Sequence, residues 1–306
     1  MTGSPATTTE QTSIANNILM RLYILILFIL FSFSLSGQHM MLAGGTQAAP
    51  PVEGLLLDDY PGAVAAYSLR ELSSAWAGLD VIRVRESGSN TEQDFTAAEI
   101  TDGTLATFCG TNDGFVVTWY DQSGNSNDAT QAVYPPKIVA GGVLVTEGGK
   151  AALDFDGIND YLILPSVSAL EMSIFGTANI AGNDRGRYLS NDASEAYVFV
   201  GDSFPFYAKM PGVSAVGGTN LSYNDKNSLF TFIKTTSNFN FYIDGVVDIA
   251  QTGSYYSLTI NTFMSISTTT IQATKGVCQE LIFYPSDQSA NRTGIESNIN
   301  TYYSIY

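Results

Sequence analysis

The sequence predicts an all-β chain, a β-sandwich with one or two short helices behind an apolar N-terminal helix, and three observations lead there. Gly occurs 28 times and Tyr and Phe 17 times each, a mixture of turn formers and strand-favouring aromatics. From Leu55 onward, short apolar runs alternate with Gly, Asn, Asp and Pro, the spacing of sandwich strands. The 306 residues are 45% hydrophobic and 14% charged, apolar enough to fold around a core, and a sandwich of this length needs only one.

Residues 1–19 are a polar, Thr-rich tail. Within 20–37, the 14 residues from Leu22 to Leu35 carry no charge, a length that fits the apolar region of a signal peptide better than a full membrane span. Ser34, Ser36 and Gly37 supply small residues for cleavage, and Arg21 supplies a positive flank. The alternative extends the tract through Met40, Met41 and Leu42 as an uncleaved anchor, with membrane contact through residues 22–35. Both readings imply export, to the medium or to a cell or virion surface; the remaining reading is an artefact of the assigned start site or a buried core strand. Residues 38–54, with Gly44, Gly45, Pro50 and Pro51, read as a linker, and 55–306 as the sandwich domain.

Strands are expected at residues 81–84, 115–120, 151–155, 197–200, 229–233, 239–243 and 280–284. After residues 239–243, Asp244-Gly245 supplies the positive-φ pair of a tight hairpin, with Val246 and Val247 starting the return strand. Two helices are expected. Residues 63–77 place Ala66, Leu69, Leu72, Ser73 and Trp76 at three- and four-residue intervals, and residues 289–303 place Ile295, Ile299 and Tyr302 or Tyr303 on one face.

Charge and the scarce residues exclude several functions. With 13 basic against 29 acidic residues the net charge is −16, a field that repels phosphate backbones, so nucleic acid is not an expected partner. His39 is the sole histidine and stands beside the apolar tract, so the main domain has no His-based metal site or His general base. Cys109 and Cys278 lie far apart in sequence, and spacing leaves their pairing open; lone thiols of this kind are most often small buried hydrophobes.

Three stretches stand out together: Ala66-Tyr67-Ser68-Leu69-Arg70; Ile82-Arg83-Val84-Arg85 with Glu92-Gln93-Asp94; and Thr118-Trp119-Tyr120-Asp121-Gln122-Ser123-Gly124-Asn125 with Asn127-Asp128-Ala129. Their combination resembles the N-terminal part of the α-L-arabinofuranosidase B catalytic domain, a concanavalin A-like sandwich (jelly roll) similar to modules of phage tail-fibre and other virion proteins and of bacterial surface proteins. Later, Phe155-Asp156-Gly157-Ile158-Asn159-Asp160-Tyr161, Phe241-Tyr242-Ile243-Asp244-Gly245 and Gln279-Glu280-Leu281-Ile282-Phe283-Tyr284 resemble laminin-G-like lectin strands and turns. The arabinofuranosidase-specific part ends near Gly124 or Ala129. The resemblance implies an extracellular carbohydrate-directed fold. The arabinofuranosidase pair of catalytic Glu and Asp has no matching motif here, so no catalytic residue is carried over, and Cys109 lacks the nearby partner that the family often places before the Asp-Gln-Ser-Gly strand.

Ligand-binding candidates are Trp119, Tyr120, Asp121, Gln122, Asn125 and Asp128, which combine aromatic faces with acceptors and amide donors, the kit of a sugar or Ca²⁺ site. The competing reading is a rigid turn in which Asp and Ser bond the loop backbone. Strand alternation puts Trp119 and Tyr120 on opposite faces, so at most one can stack on a ligand. No cofactor is required; the metal to consider is Ca²⁺, at Asp156, Asn159 and Asp160, where hairpin formation alone also explains the residues. Phe204, Pro205, Phe206 and Tyr207, with Tyr255 and Tyr256, are aromatic loop clusters. The loop acids Asp184, Asp192, Glu195, Asp202 and Asp225 suit solvated turns, while Glu280 is expected to face outward from its strand or into a cleft. The leading function is a non-catalytic module that recognises a glycan or surface receptor. The alternatives are an arabinofuranosidase-like hydrolase and a structural virion or cell-surface protein, with self-association left open.

Overall fold

A computed structural model describes residues 54–180, 187–191, 197–199, 207–211, 213–219, 226–265 and 273–306. These fall in one compact unit, Glu53–Tyr306. Residues 1–53, including the apolar tract and His39, lie outside the described residues, as do Phe204, Pro205, Phe206, Asp184, Asp192, Glu195, Asp202 and Asp225. Among the described residues no helix is long and apolar enough to cross a membrane.

Two antiparallel layers are joined at one side. Strand Lys275–Tyr284 is central to the first: one edge pairs with Met172–Ile180, the other with Ala65–Ser68 and Leu153–Asp156. Beyond Met172–Ile180 follow Ser228–Lys234, Asn238–Ile243 and Val246–Thr252. The second layer runs through Glu92–Thr96, Asp80–Glu86, Gly114–Trp119, Ala129–Thr130, Leu162–Ala169, Leu258–Phe263 and Arg187–Ser190. Strand Lys137–Ala140 pairs with both Gly114–Trp119 and Leu153–Asp156, so the network curls over itself as a concanavalin A-like jelly roll.

Side-chain alternation explains which residues meet. Between the layers lie Ile82, Trp119, Phe155, Phe263, Leu281 and Phe283, all buried. The first layer is covered on its other face too. Phe175, Leu229, Ile282 and Tyr284 pack there with Ile295, Ile299 and Tyr303 of the C-terminal helix Arg292–Tyr303. A strand apolar on both faces is buried along its whole length, as Ser228–Lys234 is. Each fully buried Ile or Phe contributes about 1.5–3 kcal/mol, enough to hold the helix to the sheet. The Asp244-Gly245 turn forms as expected, with φ of 51° and 75°. Asp244 also accepts the Leu229 amide at 2.9 Å and pairs with Lys226 at 2.8 Å.

The helix expected at residues 63–77 does not form. Ala65–Ser68 is a strand, followed only by a 3₁₀ turn at Ser74–Trp76. Its Ala spacing imitates a helix face, yet all four residues of the strand are buried. Their backbone groups are claimed by strand Lys275–Tyr284 and by the loop after Trp119, so tertiary pairing overrides local propensity. The second expected helix exists, starting at Arg292 rather than Ser289. Cys109 and Cys278 are both free and buried, and burial pushes their thiols up to about 11 and about 12.

Candidate functional site

The stretches that carried the resemblance meet in space. Asp121 is fully buried: Oδ1 accepts the amides of Ala66 (2.8 Å) and Ser123 (2.9 Å), and Oδ2 accepts the Ser123 hydroxyl (2.8 Å) and the Asn127 amide (3.0 Å). Gln122 is also buried; its Oε1 accepts the Leu72 amide at 2.8 Å, and its Nε2 donates to the carbonyls of Ser68 and Arg70 at 3.0 and 2.9 Å. Asn125 Nδ2 donates to Ala63 O at 3.1 Å, and Asp128 accepts the Asp121 amide at 2.9 Å. These side chains splice the loop to the segment around residues 63–72, and their polar atoms serve the backbone.

Trp119 and Tyr120 point to opposite faces. Trp119 is fully buried, 5.7 Å from the Tyr67 ring centroid, and offers no face to a ligand. Tyr120 is half-buried on the outer face, where its hydroxyl donates to Asp94 Oδ1 at 2.7 Å. Arg83 holds the same carboxylate with two bonds of 2.7 Å. Arg83 beside it, aided by Tyr120, keeps Asp94 below the usual carboxylate range, while burial and then Asp94 push the Tyr120 hydroxyl up. The triad draws one residue from each of three neighbouring strand regions.

The spliced loop forms part of a groove of about 390 Å³. Gln122, Ser123 and Gly124 line one side, Leu57, Asp58, Pro61 and Ala63 another, and Trp76 and Leu79 a third. Trp76 is half-buried, and its indole N–H donates to Asp80 O at 3.0 Å, which fixes the ring's orientation. Asp58 accepts the Ser74 amide with both oxygens at 3.1 Å, tying the short helix Leu56–Asp59 to the 3₁₀ turn. The groove thus combines an oriented aromatic ring and the Asp58 carboxylate on a braced frame, the Ser123 hydroxyl being spent on Asp121. Trp76 stands in the 3₁₀ turn Ser74–Trp76 and not on the helix face that its spacing predicts. The signal for its real place was the Ser73-Ser74-Ala75 and Ala77-Gly78 surroundings, small residues that suit a surface turn.

The other candidates fall elsewhere. Asp156 Oδ1 accepts the amides of Ile158, Asn159 and Asp160 at 2.7, 3.1 and 3.3 Å, and Asp160 Oδ2 accepts the Asp156 amide at 3.1 Å. Burial pushes the Asp160 carboxyl up to about 7. Among the described residues no group of three or more His, Cys, Asp or Glu is placed to hold a metal. Tyr255 is buried against Phe239 with ring centroids 6.3 Å apart, whereas Tyr256 is 67% exposed. Glu280 is neither outward-facing nor in a cleft: it is fully buried and pairs with Arg70 at 2.8 Å. Its strand is covered on both faces, which sequence alternation alone does not disclose.

No family model and no curated protein sequence matches the chain. Solved structures do. The chain is similar to an arabinofuranosidase complexed with arabinofuranosyl-α-1,2-xylobiose, at 16% identity and TM-score 0.57, over 81% of this chain and 64% of that one. It is also similar to a GH54 α-L-arabinofuranosidase soaked with a cyclic sulfate inhibitor, at 15% identity and TM-score 0.55, over 80% of this chain and 64% of that one. The chain therefore shares the arabinofuranosidase β-sandwich fold while spanning less than two thirds of those proteins' length.

Proposed function

We propose that this protein is a carbohydrate-directed sandwich that takes a neutral glycan in the groove walled by Trp76. One observation carries the reading: the half-buried indole, its orientation fixed by Asp80, lines a groove together with the exposed Asp58 carboxylate, an aromatic face beside a hydrogen-bond acceptor. Export through residues 20–37 would place the domain where extracellular glycans are met.

The solved structures favour a second reading above binding alone, namely hydrolysis of α-L-arabinofuranosides, because the sandwich matches arabinofuranosidases along four fifths of the chain. A retaining glycosidase needs two carboxylates about 5–5.5 Å apart. The test is a paired assay on one preparation: binding of arabinofuranosyl-xylobiose by calorimetry, and release of nitrophenol from 4-nitrophenyl α-L-arabinofuranoside. Binding without release supports recognition. Release that survives Trp76→Ala supports hydrolysis at another place on the sandwich, and silence in both assays overturns both readings.

A further inference from the structure

A second cavity, of about 370 Å³, lies beside the C-terminal helix. Leu69, Leu144 and Ala151 give it apolar surface, Thr101 and Thr146 bring hydroxyls, and Lys150 and Tyr302 form a polar wall. Arg70 and Lys150 both lie over the Tyr302 ring, at 4.6 and 4.3 Å from its centroid. Their charges have different fates. Arg70 spends Nε and one Nη on Glu280 and Asn298, so its charge is compensated inside the fold. Lys150 has no carboxylate within ion-pair distance among the described residues.

Lys150 is also held in place. The buried Gln279 donates through Nε2 to the carbonyls of Glu147 (3.0 Å), Lys150 (3.3 Å) and Ala151 (3.2 Å), which fastens the hairpin Thr146–Glu147 and Lys150–Ala151 to the sheet. The ammonium is thus presented from a fixed backbone over a fixed ring. In a chain of net charge −16, an unpaired cation in a cavity is a local exception to a field that repels anions.

We propose that this cavity binds the carboxylate of a uronic acid residue, with Lys150 as the counter-ion, the Tyr302 edge and Leu69 against the sugar ring, and Thr101 and Thr146 to its hydroxyls. The assignment rests on the carbohydrate-directed reading for its sugar and on Lys150 for its carboxylate, lies apart from the Trp76 groove, and extends the ligand from neutral to acidic glycans. The test is a ligand-observed NMR titration of the full chain with methyl β-D-glucuronide and with its neutral counterpart, methyl β-D-glucoside. The glucuronide is expected to bind at least tenfold more tightly, with the preference weakened by added salt. Lys150→Gln removes the preference, Lys150→Arg retains it, and Trp76→Ala leaves it unchanged. Equal binding of the two glycosides, binding of neither, or a preference that survives Lys150→Gln overturns the proposal.

Discussion

Arg70 and Glu280 form a two-point ion pair, with Nε to Oε2 at 2.8 Å and Nη2 to Oε1 at 3.0 Å, that locks the end of the first described strand to the central strand. Their side chains are 10% and 0% exposed. Glu280 Oε2 also accepts the hydroxyls of Ser68 at 2.8 Å and Tyr303 at 3.1 Å, so the carboxylate is satisfied from the strand Ala65–Ser68, the residue Arg70 just beyond it and the C-terminal helix. Glu280→Ala leaves a guanidinium without its partner and is expected to cost about 3–5 kcal/mol. The paired change Arg70→Met with Glu280→Leu removes both charges and costs less than the single substitution. Urea unfolding of the three proteins measures the order.

Asp121 makes the loop one piece with its neighbour. Asp121→Ala strips acceptors from three backbone amides and one hydroxyl. With a buried unsatisfied donor costing about 1–3 kcal/mol, the loss should reach at least about 3 kcal/mol. Thermal unfolding gives the total, and hydrogen exchange should show the Ala66 amide losing protection first.

Asp160 predicts a pH dependence of definite sign. Its folded-state carboxyl titrates near 7 against about 3.9 in the unfolded chain. The folded state therefore holds the proton more tightly, and Asp160's contribution to stability is fully present below about pH 4 and falls as pH rises through 7. The span is at most about 4 kcal/mol. Asp160→Asn keeps an acceptor for the Asp156 amide and removes the titration, so its melting temperature should exceed the wild-type value at pH 8 and approach it at pH 5.

Both thiols should be silent in the native protein. Cys109 and Cys278 are 1% and 0% exposed, with burial holding each in the protonated form. A thiol-reactive chromophore at pH 8 is expected to label neither until denaturant is added, and then both.

Much of the fold was legible because its strands announce themselves. Residues 229–233 and 239–243 carry β-rich apolar runs, and Asp244-Gly245 fixes the hairpin that joins the second of them to Val246–Thr252 by backbone conformation alone. Ala65–Ser68 was not legible: Ala-Ala-Tyr-Ser suits either helix or strand, and what decides it is pairing with residues more than 200 positions away. The candidate site was half legible. Asp121, Gln122 and Asn125 do gather beside a groove, but as its braces, and alternation foretold that Trp119 and Tyr120 would part. The places of Trp76 and Lys150 were not legible, since a surface aromatic and a cation without a carboxylate partner acquire meaning only from the cavities that distant segments build around them.

In the proposed function Trp76, and not the buried Trp119, is the aromatic that meets the glycan. The most direct measurement is tryptophan fluorescence during titration with arabinofuranosyl-xylobiose, on the wild type and on Trp76→Phe. Because these are the chain's two tryptophans, a saturable change in wild-type emission that disappears in Trp76→Phe, with folding intact, is the predicted result. A change that persists in Trp76→Phe, or no change in either protein, would contradict the account.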